Sequence, residues 1–356
     1  MPRKGSSKPL KVAVTGASGY IAGRLIEQLT ADDRIERVIG FDVRRPAFSH
    51  PKFVFDEVDV RSPALEARFT DVDVVVHLAF IMDPIHDEQE MRDVNVNGSQ
   101  NVFNGAGKAG VKKIVYTSSA VAYGAHPDND IPLTEDAPLR ANLDFSYPAH
   151  KLEVEYVVRE FRQEFPDVTF TLFRPAIVFG PHVDNAWSHA LQTPVLFAVQ
   201  GYAAPLQFVH ETDVARALHE AVFADWDGAY NLAAEGSLSP DQMLEIVDRK
   251  RFELPEPIAF GLAKRMWSMG LAEAPEGFLH YVMHPWVVST EKLSGAGFTC
   301  EVSNLEAFTE TVDLSRGLVR VGKRSVKRGD LAKGAAVVGL LGAAAALRTV
   351  RKRTKI

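Results

Sequence analysis

Tyr147 and Lys151 are spaced as Y-x-x-x-K, and on a helix residues four apart lie on the same face. A lysine ammonium beside a phenol favours the phenolate and lowers the tyrosine pKa from about 10 toward a range useful for proton transfer. Ser119 ends a cluster of hydroxyls, and its side chain can hydrogen-bond a substrate oxygen. These residues predict acid–base chemistry at an oxygen-bearing carbon. A chance spacing on an ordinary helix and a serine-rich turn that caps a strand are the structural alternatives.

A glycine-rich segment, T-G-A-S-G-Y-I-A-G over residues 15–23, follows the apolar run 10–14 and precedes a helical pattern. Gly16 allows a tight turn and Gly19 lets the backbone approach a pyrophosphate. We expect Gly23 to allow close packing of helix on strand, while the free N–H groups of the helix N-terminus face the phosphates. The segment predicts a dinucleotide-binding turn, with an ordinary glycine-rich turn as the alternative.

Asp42 ends the next predicted strand, residues 36–42, about 20 residues beyond the glycine turn. A carboxylate at that distance accepts hydrogen bonds from the adenosine ribose diol and repels the additional phosphate of NADP. Arg44 and Arg45 are close enough in sequence to keep NADP as the less favoured alternative. We therefore expect NAD as the cofactor.

The chain alternates apolar strand-like runs with helical stretches, the pattern of a doubly wound parallel sheet. Its 356 residues, 46% of them hydrophobic, suffice for an α/β Rossmann-like domain with a smaller lobe. Further predicted strands are residues 53–55, 72–76, 113–117 and 170–173.

The single cysteine, Cys300, excludes an intramolecular disulfide. The eleven histidines lack paired metal-ligand spacing, so we expect no metal site.

Charge is distributed unevenly along the chain, whose net charge is −6. Residues 1–11 carry four Lys or Arg and no acid, and residues 316–356 carry twelve against one Asp, so the body between them is strongly acidic. An acidic body excludes nucleic acid as a general partner, whereas the basic ends can approach an anionic membrane surface. Solvated tails are the alternative interpretation.

The C-terminal segment 334–347 is apolar throughout and flanked by Lys and Arg. As a helix its length would be about 21 Å, against about 30 Å of bilayer hydrocarbon, so it is short for a span. A shallow anchor through residues 334–356 and a helix packed on protein both remain open. The N-terminal residues have no apolar stretch of the signal-peptide kind, so we expect the body to be cytoplasmic.

Several motifs occur in a fixed order: T-G-x-x-G-x-x-G, Asp42, N-V-N-G from Asn95, T-S-S ending at Ser119, Y-x-x-x-K, and R-P-x-x-V-F-G-P from Arg174. In this order the sequence resembles the extended short-chain dehydrogenase/reductase family, in its NAD-dependent epimerase/dehydratase branch, from about residue 10 to about residue 315. The resemblance implies hydride transfer at an alcohol or carbonyl carbon, with a small-molecule substrate and usually a homodimer built through the helix that bears Tyr147.

By this resemblance Tyr147 is the general acid/base, Lys151 lowers its pKa and binds the nicotinamide ribose, and Ser119 orients the substrate oxygen. Asn95 would support the central helix. The implied cofactor-binding residues are Gly16, Ser18, Gly19, Tyr20, Ile21, Gly23, Asp42, Arg44, Asp59, Val60, Leu78, Ala79, Asn95, Thr117, Tyr147, Lys151, Pro175, Ile177 and Val178.

The expected domain organisation has four parts: a basic N-terminus over residues 1–9, a Rossmann domain over 10–180 to which 206–234 return, a substrate lobe from 181–205 and 235–315, and a basic tail over 316–356.

The substrate pocket departs from the nucleotide-sugar pattern of the family. Ile177 occupies a position that is usually asparagine, and residues 181–215 contain no lysine or arginine to hold a diphosphate. Phe80 and Met82 replace the small residues common after the strand that ends near Ala79. These departures favour an apolar, lipid-like or steroid-like alcohol. A UDP-hexose 4-epimerase or dehydratase, and a non-catalytic dinucleotide-binding sensor or scaffold, are the alternatives.

Overall fold

The computed structural model describes residues 8–193, 196–247, 249–321 and 324–327. The apolar segment 334–347 and most of the basic N-terminus lie outside these residues. Within them, no helix has the length and apolar character needed to cross a membrane.

A seven-stranded sheet forms the centre of the molecule, in the order β3-β2-β1-β4-β5-β6-β10, and all six of its strand pairs are parallel. This is the doubly wound arrangement that the sequence predicted. From β1 to β3 the strands are added toward one edge of the sheet, and from β4 onward they are added toward the other edge, so the order of addition reverses between β1 and β4. The strands are β1 Leu10–Thr15, β2 Ile35–Asp42, β3 Phe53–Glu57, β4 Val74–His77, β5 Lys113–Thr117, β6 Thr169–Pro175 and β10 Gly228–Leu232.

The predicted strands fall on β1 to β6, with ends shifted by one to two residues in most cases. Strand β5 has the predicted bounds. Strand β10 carries only a short apolar pattern, G-A-Y-N-L, and was not predicted individually; it forms the sheet edge by pairing with β6. Buried residues on both faces of β1 and β4 explain their continuous apolar runs.

Helices cover both faces of this sheet, and α1 packs against α7 on one of them. The helices are α1 Tyr20–Ala31, α2 Leu65–Arg68, α3 Glu88–Arg92, α4 Gly98–Lys108, α5 Ser146–Glu164, α6 Ala186–Ala190, α7 Glu211–Phe223, α8 Pro240–Ile246, α9 Glu256–Ser268, α10 His280–Met283, α11 Glu291–Gly295 and α12 Asn304–Ser315. Short helical turns of other types span Asp93–Asn97, Ala120–Tyr123 and Glu276–Leu279.

Smaller strand pairs accompany the central sheet. Strand β7 (Ile177–Phe179) pairs in parallel with β9 (Phe208–His210), and β8 (Leu196–Val199) pairs in parallel with β11 (Arg251–Leu254). Strands β12 (Leu318–Val321) and β13 (Arg324–Lys327) form an antiparallel hairpin. A separate buried cluster, which includes Trp286 and Phe308, packs beside β7 and β9 at the carboxyl ends of the sheet strands. It forms one wall of the candidate site.

Candidate active site

The glycine turn between β1 and α1 approaches the strand next to it very closely. Gly16 has φ +70°, and a Cβ added there would lie 2.6 Å from the backbone nitrogen of Ala79. Only glycine meets both constraints without strain. Gly19 is the N-cap of α1 and supplies no side-chain cap, and the first turn of α1 holds no acidic residue. The amides of this turn therefore form a site suited to an anion.

Gly23 has a different environment from the one that the sequence predicted. A Cβ added at Gly23 would meet nothing within 4 Å. The prediction of close helix–strand packing at this residue was wrong. The close contact required by the fold falls on Gly16, because the turn itself lies against the end of β4.

Asp42 ends β2 beside the glycine turn, as the motif spacing predicted. Its carboxylate accepts hydrogen bonds from the backbone N–H of Ser18 at 3.0 Å and of Arg44 at 3.0 Å. The Ser18 hydroxyl donates to the Arg44 carbonyl, so the turn and the strand end are joined. Arg44 itself is exposed. The carboxylate is held in place by the backbone and presents a negative charge where NADP would require a positive one.

Asp59 lies after β3, and its side chain is bound to a cation. The Arg61 guanidinium donates to both carboxylate oxygens, at 3.0 and 2.7 Å, and lowers the pKa of Asp59. Val60 is buried against Gly98 of α4. Both residues are part of the edge predicted for the adenine end, but neither lines the central cavity.

Asn95 lies on the short helical turn before α4 and is fully buried. Its amide accepts from the Ile81 N–H at 2.7 Å and donates to the Ile81 carbonyl at 3.0 Å. This paired contact fixes the segment that follows β4. Asn95 does not line the cavity, and its expected support of the central helix and the cofactor site stays a prediction.

Tyr147 lies in the first turn of α5, followed by Pro148 at a position where proline is tolerated. The Ser119 and Tyr147 side chains both line the same cavity, so the structure brings these two predicted residues together. Burial raises the pKa of Tyr147 to about 12, more than the Ser119 side chain lowers it, and the Asp83 carboxylate adds to the rise. The predicted lowering of this pKa was therefore wrong for the structure, because desolvation of the phenolate dominates.

Lys151 is one helical turn beyond Tyr147 and is buried. Its ammonium donates to the Thr117 carbonyl at 2.8 Å and to the Tyr116 hydroxyl at 3.3 Å, and it lies 3.5 Å from the centre of the Phe80 ring. Burial lowers the pKa of Lys151 well below its usual value. Phe80 also makes an edge contact with Tyr147, at 5.9 Å between ring centres. Phe80 thus packs against both members of the predicted pair.

A buried polar chain runs beneath the site and was not predicted. His77 ends β4; its Nδ1 lies 2.6 Å from the Thr15 hydroxyl and its Nε2 lies 2.9 Å from the Ser99 hydroxyl. Burial, with a smaller effect from the Lys151 charge, lowers the pKa of His77 to about 3. The imidazole is therefore neutral and ties β1, β4 and α4 together. A polar residue that ends an otherwise apolar strand was the available signal.

Arg174 belongs to a second buried network. Its guanidinium donates to Glu155 of α5 and, at 2.6 Å, to the Tyr123 hydroxyl. Tyr123 in turn donates to Asn231 of β10 at 2.7 Å. Arg174 therefore positions β6 against α5, while the residues that follow it, Pro175 among them, reach the cavity.

A cavity of about 220 Å³ lies between the glycine turn, the carboxyl ends of the strands and α5. Several predicted residues line it, namely Gly16, Gly19, Tyr20, Ile21, Leu78, Thr117, Ser119, Tyr147, Lys151, Pro175, Ile177 and Val178. The predicted residues outside its lining are Ser18, Gly23, Asp42, Arg44, Asp59, Val60, Ala79 and Asn95. The structure thus groups the catalytic candidates with the glycine turn, and the adenine-end candidates lie beyond the cavity.

Further residues complete the cavity wall, among them Met82, which the sequence marked as a departure from the small residues common in the family. Apolar and aromatic side chains predominate among them: Met82, Phe145, Trp187, Phe278, Tyr281 and Trp286. Trp187 lies 4.5 Å from Phe278 between ring centres. Trp187, Tyr281 and Trp286 are distant from Tyr147 in the sequence, and only tertiary packing brings them to it.

The residues present suit a dinucleotide. Gly16 and Gly19 expose backbone at the start of α1, and the buried Thr117 hydroxyl, which lines the cavity, has no hydrogen-bond partner among the residues that the structure describes. Such a group requires a ligand or water partner. Within the described residues no group of three or more His, Cys, Asp or Glu side chains is placed to hold a metal ion.

Comparison with known proteins identifies the class. Residues 12–233 match the NAD dependent epimerase/dehydratase family, so the chain belongs to that family. It is an enzyme, and its cofactor is NAD.

Individual relatives agree with this assignment. An uncharacterized protein of Mycobacterium tuberculosis is 31% identical over 266 residues, which cover 71% of this chain and 69% of that protein. An N-acetyl-alpha-D-glucosaminyl-diphospho-ditrans,octacis-undecaprenol 4-epimerase of Escherichia coli O157:H7 is 33% identical over 172 residues, 48% of this chain and 49% of that protein.

Solved structures show the same fold. MoeE5 in complex with UDP-glucuronic acid and NAD superimposes with a TM-score of 0.69 at 20% identity, covering 86% of this chain and 99% of that chain. The UDP-glucose 4-epimerase of Thermotoga maritima gives a TM-score of 0.67 at 19% identity, covering 86% and 99%.

Proposed function

We propose that this enzyme transfers hydride between NAD and a secondary alcohol or ketone with an apolar body, bound beside Tyr147. The observation that carries the proposal is the composition of the cavity. Among the described residues that line it, Lys151 is the only lysine or arginine, and Asp83 contributes a negative charge. Aromatic side chains form most of the wall opposite the glycine turn.

Electrostatics favours this substrate class over a nucleotide diphosphate. Diphosphates are held by several cations or by bidentate arginine contacts. Lys151 already donates to the Thr117 carbonyl and lies 3.5 Å from the centre of the Phe80 ring, and its proposed role is with NAD, so the described lining offers no further lysine or arginine for a substrate diphosphate. The Asp83 carboxylate would repel the negative charge of a substrate diphosphate. An uncharged alcohol or ketone avoids the much larger cost of burying a charged diphosphate, and its one oxygen can recover its lost hydration by hydrogen bonds within the site.

The proposed roles of the chain's own residues follow from their positions. Ser119 lines the cavity with Tyr147 and orients the substrate oxygen, and Tyr147 exchanges a proton with that oxygen. The glycine turn holds the pyrophosphate, Asp42 holds the adenosine ribose, and Lys151 faces the nicotinamide ribose. NAD, when bound, supplies the hydride acceptor. The aromatic wall excludes water from the reacting carbon.

A second candidate is epimerisation of a sugar diphosphate, either a UDP-hexose or a lipid-linked sugar. The family and the relative from Escherichia coli O157:H7, which acts on an undecaprenol-linked sugar by its name, support it. The apolar wall is compatible with the lipid-linked form. Ile177, which lines the cavity, is unable to make the polar contact of the asparagine usual at its position.

Mass spectrometry distinguishes the two candidates. We would incubate the purified protein with NAD and, separately, with UDP-hexoses, undecaprenyl-diphospho-sugars and apolar secondary alcohols, following NADH and isomer exchange. Stoichiometric NADH with oxidation of an apolar alcohol supports the proposal. Isomer exchange of a sugar diphosphate without net NADH establishes the second candidate instead. The Tyr147→Phe variant serves as the matched inactive control in every arm.

We further propose that the basic, apolar C-terminus brings the enzyme to a membrane surface, as residues 334–347 and their flanking cations suggest. Removal of residues 328–356 is expected to move the protein from the membrane fraction to the soluble fraction of its native cells. An intact protein found wholly in the soluble fraction would contradict this.

A homodimer through α5, the arrangement implied by the family, is tested by light scattering after gel filtration.

A further inference from the structure

A second cavity, of about 200 Å³, lies in the smaller lobe next to the catalytic cavity. Strand β8, helix α8 and strand β11 enclose it, with Ala198, Met243 and Arg251 among its lining residues. Trp187 lines both cavities and forms part of the wall between them. The lining is almost wholly apolar, and nothing in the proposed hydride transfer uses this space.

Among the described residues of that lining, Arg251 is the one that carries a charge. Its guanidinium pairs on one side with Glu253, at 3.0 Å between Nη2 and the carboxylate oxygen, and its side chain is 26% exposed. Its Nε–H is buried and has no hydrogen-bond partner within the described structure. A buried guanidinium N–H without an acceptor is costly, so the position is suited to an anionic ligand.

We propose that this cavity binds a long-chain carboxylate, with the hydrocarbon chain between β8 and α8 and the carboxylate on Arg251. Charge complementarity selects this occupant: Arg251 lines the cavity with a buried guanidinium N–H that has no acceptor, and the other described lining residues offer almost only apolar contacts. A hydrocarbon chain gains free energy in proportion to the apolar area it buries, and the carboxylate supplies the missing acceptor. A diphosphate would require more cations than Arg251 provides.

The test uses the full-length protein and two fluorescent probes, a dansyl-labelled undecanoate and its neutral carboxamide. Arg251→Gln is expected to weaken binding of the undecanoate about 10-fold or more, the loss of one charge-assisted hydrogen bond, and to leave binding of the carboxamide nearly unchanged. Glu253→Gln is the matched control, and its expected effect on undecanoate affinity is opposite to that of Arg251→Gln. It frees Arg251 from its competing carboxylate, so the undecanoate should bind more tightly.

Two further variants locate the chain. Ala198→Phe fills the second cavity and is expected to weaken both probes, whereas Met82→Trp, in the catalytic cavity, should leave both unchanged. Thermal unfolding followed by circular dichroism, measured in parallel, confirms that each variant is folded. Equal undecanoate affinity in wild type and Arg251→Gln overturns the proposal. So does a loss of probe binding in Met82→Trp with none in Ala198→Phe, since the probe would then occupy the catalytic cavity.

Discussion

Arg174 of β6 and Glu155 of α5 form a buried, doubly hydrogen-bonded ion pair, with 2.6 Å between Nη2 and Oε2 and 3.0 Å between Nε and Oε1. Their side chains are 6% and 4% exposed. The Ser118 hydroxyl also donates to Glu155, at 2.7 Å. The pair therefore links the helix that bears Tyr147 to the strand that leads into the cavity wall.

Glu155→Gln is expected to destabilise the fold by about 3–5 kcal/mol, because it leaves a buried guanidinium without its counter-charge. Glu153→Gln, on the same helix, is the matched control: Glu153 pairs with Arg92 at the surface, and its loss should cost at most about 1 kcal/mol. Urea unfolding of both variants measures the difference. Similar costs at the two positions would show that the buried pair contributes no more than a surface pair.

His77 makes the stability depend on pH. Its folded-state pKa of about 3 lies below its usual 6.5, so protonation favours the unfolded chain, and its contribution is lost as the pH falls below about 6.5. Between pH 7 and pH 5 this loss amounts to about 2 kcal/mol. His77→Gln should lose correspondingly less stability over that range in urea titrations. His86→Gln, at an exposed position, should keep the wild-type slope; an unchanged slope in His77→Gln would refute the assignment.

Tyr147→Phe is expected to reduce turnover by about 10²–10⁴-fold, the usual contribution of a positioned acid/base group, with NAD affinity preserved. Tyr156→Phe provides the control, since Tyr156 is an exposed tyrosine on the same helix, and its activity should match wild type. Turnover is followed with whichever substrate the mass-spectrometry survey yields. Retention of wild-type turnover by Tyr147→Phe would remove Tyr147 from the mechanism.

Gly16→Ala is expected to abolish NAD binding. Its Cβ would lie 2.6 Å from the Ala79 nitrogen, at a φ of +70° that L-residues rarely adopt, so the turn must move. Gly23→Ala meets no neighbour within 4 Å and lies inside α1, where alanine stabilises a helix by up to about 1 kcal/mol. Calorimetric titration with NAD measures the affinity of each variant, and thermal unfolding measures its stability. Loss of NAD binding in Gly23→Ala would restore the close-packing role first predicted for it.

Much of the fold was predictable because it follows from local sequence patterns. Strand β5 has the predicted bounds, and β1, β2 and the glycine turn follow from a buried apolar run and from glycine chemistry. Tyr147 and Ser119 were predicted from residue type and do line the same cavity in the structure. Strand β10 was not predicted, since its five residues carry too little pattern and its place depends on pairing with β6.

Residues close together in the chain were enough to predict the α/β sheet, a dinucleotide-binding turn and the acid–base candidates. The environment of those residues depends on contacts between distant segments, so it was visible only in the folded chain. Burial reverses the predicted pKa shift of Tyr147, and Phe80 is brought over Lys151 from a different strand end. The aromatic wall forms by packing between distant segments: Trp286 lies more than a hundred residues from Tyr147 in the sequence. Such contacts produce no local sequence pattern from which they could be predicted.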